Sequence, residues 1–335
     1  MSRKIAPLFL SVASLALVAA CSADAEPPVT SSSVDAEVKS SGLVEVKDFT
    51  GLVIVKTGPG MKFDAKLTDG ELVKSGKIDK PTIDLKSNYI LVSGDEDLKI
   101  KQCKSNNGKY QLKLKGDKLR SLDAFPRLEI TMPSDANIDL NLDSGLAKVG
   151  DVHSTAVTIN GCGDVHLQNV SGHFMTTING SGDVEAKDVG NFSAEIRGSG
   201  DVIVGEVSGK AVSDVKGSGD IEMGHVDGEF YASIKGSGDI LSKSAHSKAI
   251  IEIKGSGDVE IGQGSFSLAD VNIAGSGDVL IDATVTDLNV NIRGSGDVEV
   301  DSLSGDITGS LRGSGDLVVD GERVIYKDGS WYFRH

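Results

Sequence analysis

Between about residues 136 and 320 the chain writes short runs in which aliphatic and polar residues alternate, and the runs recur every 18 to 20 positions. One aliphatic column reads Ile159, Ile178, Ile196, Val215, Ile234, Ile253, Ile273, Ile292 and Leu311. Six residues further on, each has a partner in Val165, Val184, Val202, Ile221, Ile240, Val259, Val279, Val298 and Leu317. Stretches such as Val271-Asn272-Ile273 and Val298-Glu299-Val300 carry the period of two of a half-buried strand. The dominance of Val and Ile is strand chemistry, because a β-branched side chain packs well on a pleated surface. Each repeat therefore predicts a strand, a corner and a second strand.

The corner is Gly-Ser-Gly-Asp, written nine times with Cys162 replacing Ser in the first copy. Its aspartates are Asp164, Asp183, Asp201, Asp220, Asp239, Asp258, Asp278, Asp297 and Asp316. A period this regular marks units that stack on one another. Some 19 residues at about 3.3 Å each give a perimeter of roughly 60 Å, enough for two or three short strands. The predicted fold is all-β: a parallel β-helix or β-solenoid with coils of about 19 residues, preceded by an irregular β region. No coil folds alone, since it would expose both backbone edges and its apolar face.

The two glycines read as φ > 0 positions in a sharp turn. The aspartate column stacks like charges, so it needs an offset. Four residues before the aspartates stand Arg197, Lys216, Lys235, Lys254, Arg293 and Arg312 at six of the nine corners. The expectation is a structural corner with backbone and Lys/Arg partners, with cation binding or a ligand edge as alternatives. The six histidines fall at different offsets in the repeat, so zinc is not expected. Nothing in the motif forms a dinucleotide or phosphate loop, since no helix follows to aim N–H groups at a phosphate. No cofactor is implied.

The ends carry different signals. Residues 1–20 hold Arg3 and Lys4 and then an apolar run too short for an ordinary span, as a secretion signal does. The run closes on Val18-Ala19-Ala20-Cys21, which looks like a bacterial lipobox with Cys21 as the lipidated residue. Ser22 after it favours the outer membrane over retention at the inner one. Residues 21–42 read as a flexible tether. Removing residues 1–20 takes the formal net charge from −15 to −17. Such acidity argues against nucleic acid as a partner. Cys103 and Cys162 are able to pair in an oxidising compartment, yet Cys162 stands in a column where a small residue is all the corner requires. Their pairing stays open.

Residues 43–135 are strand-like without a visible repeat, residues 136–320 form the solenoid, and residues 321–335 form a capping hairpin around Lys327-Asp328-Gly329-Ser330, its aromatics covering the last rung. With its lipobox, tether, early strands, the stretch Phe125-Pro126-Arg127-Leu128-Glu129-Ile130-Thr131-Met132-Pro133 and serial Gly-Ser-Gly-Asp-Val corners, the chain resembles the head GIN-domain family of putative autotransporter adhesins. The resemblance implies a right-handed β-helix-like fold in a bacterial envelope protein and brings no catalytic residues.

A non-catalytic envelope lipoprotein would present a solenoid surface to a glycan or an envelope protein while its lipid anchors it to the membrane. A β-helix carbohydrate-active enzyme would use acids such as Glu185 and Asp188, but constant coil length and 4% aromatic residues leave little with which to build a cleft. A periplasmic scaffold would dock partners along the charged columns.

Overall fold

The computed structural model describes residues 33–36, 42–86, 89–106 and 109–333. The expected secretion signal, Cys21 and most of the expected tether lie outside the described residues. Strand makes up 67% and helix 2%, and the strands form a β-solenoid of about 10 turns with coils of about 19 residues. This is the architecture the repeat predicts.

Three faces make each coil. A five-residue strand runs up to the corner: Phe174–Ile178 is overlain by Phe192–Ile196, Ala211–Val215, Phe230–Ile234 and Ala249–Ile253, all parallel and in register. A short strand leaves the corner, as in Val184–Ala186 and Val202–Val204, the latter pairing with the first three residues of Ile221–Val226. The third face narrows to one column, in which Val152, Val170, Val189, Val207 and Val226 meet by parallel pairing or isolated bridges. Alternate residues point inward, so the aliphatic columns read from the sequence become one continuous core. Ile234, Ile253 and Val215 are fully buried in it. Each buried Val or Ile contributes about 1.5 to 3 kcal/mol.

The first regular coil comes from a place where no repeat is legible. Leu43–Gly58 lies parallel to Asn137–Val149 from Leu43 to Val55, with register irregularities near Leu142. Its other edge pairs with Tyr89–Ser93 and Arg127–Pro133. The expected boundary near residue 135 is thus a boundary of textual regularity, while the hydrogen-bond ladder runs across it. Phe63–Thr68 and Thr82–Lys86 add antiparallel strands that close this end. Within the stretch read as a tether, Ser33–Ala36 pairs with the open edge of Phe63–Thr68.

At the other end Glu322–Lys327 folds back antiparallel on Leu317–Val319 and pairs with Ser330–Phe333. The turn between them has φ 53° at Asp328 and 85° at Gly329, the left-handed pair a two-residue hairpin needs. Val324 and Trp331 pack on the core. Tyr332 and Phe333 remain 53% and 39% exposed, so only part of the expected aromatic cover reaches the last rung: Tyr332 faces away from Trp331 by strand alternation, and Phe333 is the last residue of its strand.

A three-stranded antiparallel sheet, Ile100–Asn106, Lys109–Leu114 and Leu119–Ser121, sits beside the first corners. It closes a second small core of Leu72, Ile78, Leu112, Leu114, Leu122 and Phe125 against Leu52 and Leu146 of the solenoid. Cys103 and Cys162 form a disulfide with their Cα atoms 6.1 Å apart, stapling this sheet to the first corner. The Tyr110 hydroxyl donates to the Cys162 carbonyl at 3.4 Å. Burial, reinforced by the Asp164 carboxylate, raises the Tyr110 phenol far above its ordinary range.

Candidate functional site

The repeated corner has a tighter requirement than left-handed backbone. Of its eighteen glycines only Gly294 and Gly313 have φ in the positive region that favours glycine. What all but Gly163 share is proximity: a Cβ on Gly180 would fall 1.8 Å from the Gly161 carbonyl oxygen, and one on Gly182 would fall 2.0 Å from that of Gly163. The same relation repeats up the column to Gly313 and Gly315. The φ > 0 reading is corrected: glycine is required because one corner lies directly on the backbone of the last.

The nine motif aspartates lie in one column along that edge. Their partners are mainly backbone. Asp164 accepts the Asp183 N–H at 3.2 Å, Asp183 that of Asp201 at 3.0 Å, Asp201 that of Asp220 at 2.9 Å and Asp220 that of Asp239 at 2.8 Å. Asp239, Asp258, Asp278 and Asp297 continue the chain of acceptors to Asp316. Each carboxylate so takes a donor that the next coil's corner would otherwise leave to solvent. Asp316, with no coil above it, receives Arg323 of the capping hairpin.

The corner cations look elsewhere. Arg197 and Lys216 meet Glu195, Lys216 and Lys235 meet Asp214, and Lys254 meets Glu252. Those acids stand two residues before a cation, on the same outward face of the same or a neighbouring strand, whereas the corner turns the motif aspartates onto a different edge. The expected Lys/Arg compensation of the aspartate column therefore does not occur for these four coils. Lys216 has burial pulling its pKa down, but hydrogen bonds to Glu195 and Asp214 outweigh it and the pKa is raised.

Amide ladders continue this face. The Asn160 side chain donates to Asn141, Asn179 to Asn160, and Asn291 to Asn272, each between neighbouring coils. Beside Lys254, Arg293 and Arg312 a shallow depression of about 390 Å³ opens where Ala274 interrupts the cation column. A second depression, about 480 Å³, lies by the three-stranded sheet. There Asp117 is lowered to about 2, first by its hydrogen bond from Lys77.

The remaining candidates separate. Glu185 faces His166 at 3.1 Å, while Asp188 accepts the Glu206 N–H at 3.1 Å in another ladder, so they serve different columns. His225 and His246, placed at unrelated offsets by the repeat, do meet, with ring centroids 5.0 Å apart. Among the described residues no group of three or more His, Cys, Asp or Glu is placed to hold a metal ion. The feature that sequence reading missed is the change in the residue two before the corner cation. It is acidic at Glu195, Asp214 and Glu252, with the neutral Ser233 between them, and then neutral without interruption at Asn272 (before Ala274), Asn291 and Ser310. Aligning the repeats by position exposes it.

The model of the family described as "Putative auto-transporter adhesin, head GIN domain" matches residues 84–225 and 225–322. Similar solved structures include a putative adhesin from Bacteroides fragilis, 16% identical over 76% of this chain and 98% of that one, with a TM-score of 0.43. Others are a putative lipid binding protein from Parabacteroides distasonis, 15% identical over 85% of this chain and 94% of that one with TM-score 0.39, and a putative adhesin from the same organism, 16% identical over the same shares with TM-score 0.33. No curated protein matches the chain.

Proposed function

We propose that this chain, which belongs to the head GIN-domain family of putative auto-transporter adhesins, is a non-catalytic binding protein of the bacterial envelope that presents one flat solenoid face to its partner. The observation that carries the proposal is the register. Side chains of the five-residue strands repeat at each coil step of about 4.8 Å, so a surface of regular polar columns is offered along the whole axis. Coils of nearly constant length hold that face flat.

The lipobox reading of Cys21 makes the molecule a lipoprotein held at the outer membrane, with residues 22–42 as the link between lipid and solenoid. Among the described residues no helix is long and apolar enough to cross a membrane. Adherence supplies the test: cells carrying the chain are compared with cells lacking it on surfaces coated with glycans or envelope extracts, and protease added to intact cells reports exposure. Greater adherence with cleavage by the protease supports the reading. Equal adherence of the two strains contradicts it, and full protection from protease favours a periplasmic scaffold.

A further inference from the structure

The outward face of the five-residue strands changes character part of the way along the axis. Arg197, Lys216, Lys235 and Lys254 each reach a carboxylate on that face. Arg293 and Arg312 have Asn291 and Ser310 two residues before them, as Lys235 has Ser233, but Lys235 reaches Asp214 of the neighbouring coil whereas neither guanidinium has an ion-pair partner among the described residues. The two arginines are register neighbours on adjacent coils, and both are exposed. Ala274, below them, leaves the gap in the cation column that becomes the 390 Å³ depression.

The floor of that depression is neutral and already ordered. Asn291 donates to Asn272 at 3.2 Å, and Ser310 donates to Asn291 at 2.9 Å. Two carboxylates are at hand, Glu252 in the wall of the depression itself and Asp270 on the same strand as Asn272. Glu252 is engaged by Lys254 at 3.5 Å, and Asp270 accepts the side-chain amides of Asn272 and Asn289 at 2.9 and 3.0 Å. Two uncompensated guanidinium groups thus stand over a hydroxyl-and-amide floor, in a chain whose formal net charge is −15.

We infer that this depression binds an acidic glycan, with Arg293 and Arg312 taking carboxylate or sulfate groups and the Asn/Ser ladder taking hydroxyls. The inference rests on the binding-protein reading above and names its ligand class. Arginine suits the task because its planar fork engages such oxyanions bidentately. A coil step of about 4.8 Å lets two successive side chains reach one acidic residue from either side. The overall negative charge works against a broad anionic partner such as a duplex or a bilayer, because its field acts over the Debye length of about 8 to 10 Å. A slender chain rich in hydroxyls meets the cationic patch while exposing little charge to the rest of the surface.

The test uses the purified full chain on immobilised polygalacturonate, dextran sulfate and neutral dextran, which distinguish carboxylate from sulfate from bare polysaccharide. Binding to one or both acidic polymers, weakened by salt and absent on dextran, is expected. Arg293→Gln with Arg312→Gln should weaken it at least about tenfold, since one charge-assisted contact is worth about that much. Asn291→Glu, which gives Arg293 the acid that precedes Arg197, Lys216 and Lys254, should weaken it likewise, with the circular dichroism of both variants unchanged. Undiminished binding by these folded variants overturns the site, and so does a wild-type chain with no preference for acidic polymer. Adherence of whole cells distinguishes the two failures: cells carrying the double variant that still adhere retain the binding function and lose this site as its explanation.

Discussion

Replacing Gly238 with alanine separates the two reasons a corner can demand glycine. Gly238 is buried and its backbone is not in the left-handed region, so a glycine present only for conformational freedom would be dispensable there. Substitution would then stabilise the chain by about 0.4 to 1 kcal/mol, through the unfolded state. The new methyl, however, would sit 2.1 Å from the Gly219 carbonyl oxygen, where ordinary contact begins at 3.4 Å. Relieving that overlap moves the two coils apart locally by roughly 1 Å. Three hydrogen bonds cross the same gap: Lys235 N–H to the Val215 carbonyl at 2.7 Å, Ser237 N–H to the Gly217 carbonyl at 2.9 Å, and Asp239 N–H to the Asp220 carboxylate at 2.8 Å. Stretching each by that amount takes it beyond useful hydrogen-bond length. At about 1 kcal/mol apiece the loss is about 3 kcal/mol. Urea denaturation followed by far-ultraviolet circular dichroism reads the difference. Gly321→Ala is the comparison, because Gly321 has φ 74° and open space around it and should cost only its conformational strain of about 1 kcal/mol. A Gly238→Ala chain at least as stable as the wild type would refute the stacking argument.

Further outcomes are expected elsewhere in the solenoid. Asp239→Ala removes the acceptor of the Asp258 N–H and should destabilise by about 1 kcal/mol, whereas Asp239→Asn keeps an acceptor oxygen and should cost less; equal losses in urea melts would speak against the backbone role of the column. Burial raises the Asp139 pKa, an effect partly offset by the hydrogen bond it accepts from the Ala156 N–H and reinforced by Glu45. The native state thus holds that proton more tightly than the unfolded one, and the ionised carboxylate opposes folding until the pH falls through its raised native value. Asp139→Asn should therefore raise the melting temperature at pH 7 and leave it unchanged at pH 3, below the ordinary carboxylate pKa of about 3.9; a neutral or destabilising effect at pH 7 contradicts the sign. Reducing the Cys103–Cys162 bridge, which spans 59 residues, should lower stability by up to about 4 kcal/mol on the chain-entropy account. Hydrogen exchange should then quicken in the three-stranded sheet before the distal coils, and uniform acceleration would show that the bridge is not a local staple.

The repeat made most of the fold legible because a solenoid converts period into contact. Two residues 19 apart become neighbours, so the Ile178, Ile196, Val215 and Ile234 column could be written down as a stack and is one. Leu43–Gly58 was legible only as strand, since its register partner begins at Asn137 and the intervening segment carries the closing strands and the stapled sheet. The cysteine pair was hidden for a related reason: Cys103 lies outside the repeat, and only the docking of its sheet brings it to Cys162. At the candidate site the cations were visible and their partners were not. Period alone places Lys216 near Asp220, yet outward alternation on the preceding strand carries it to Glu195 and Asp214. The unpaired state of Arg293 and Arg312 emerges only once those true neighbours are known.

The stacking of successive coils in register is tested most directly by paired cysteines on the outward face. Tyr231 and Ile250 are register neighbours on adjacent coils, and Asp270 lies one coil further along the same column. Chains carrying Tyr231→Cys with Ile250→Cys should form the new disulfide on mild oxidation, because one coil step of about 4.8 Å lies within disulfide reach. Chains carrying Tyr231→Cys with Asp270→Cys should not, at two steps or roughly 10 Å. Failure of the adjacent pair to bridge, or bridging of both pairs with equal ease, would contradict the account.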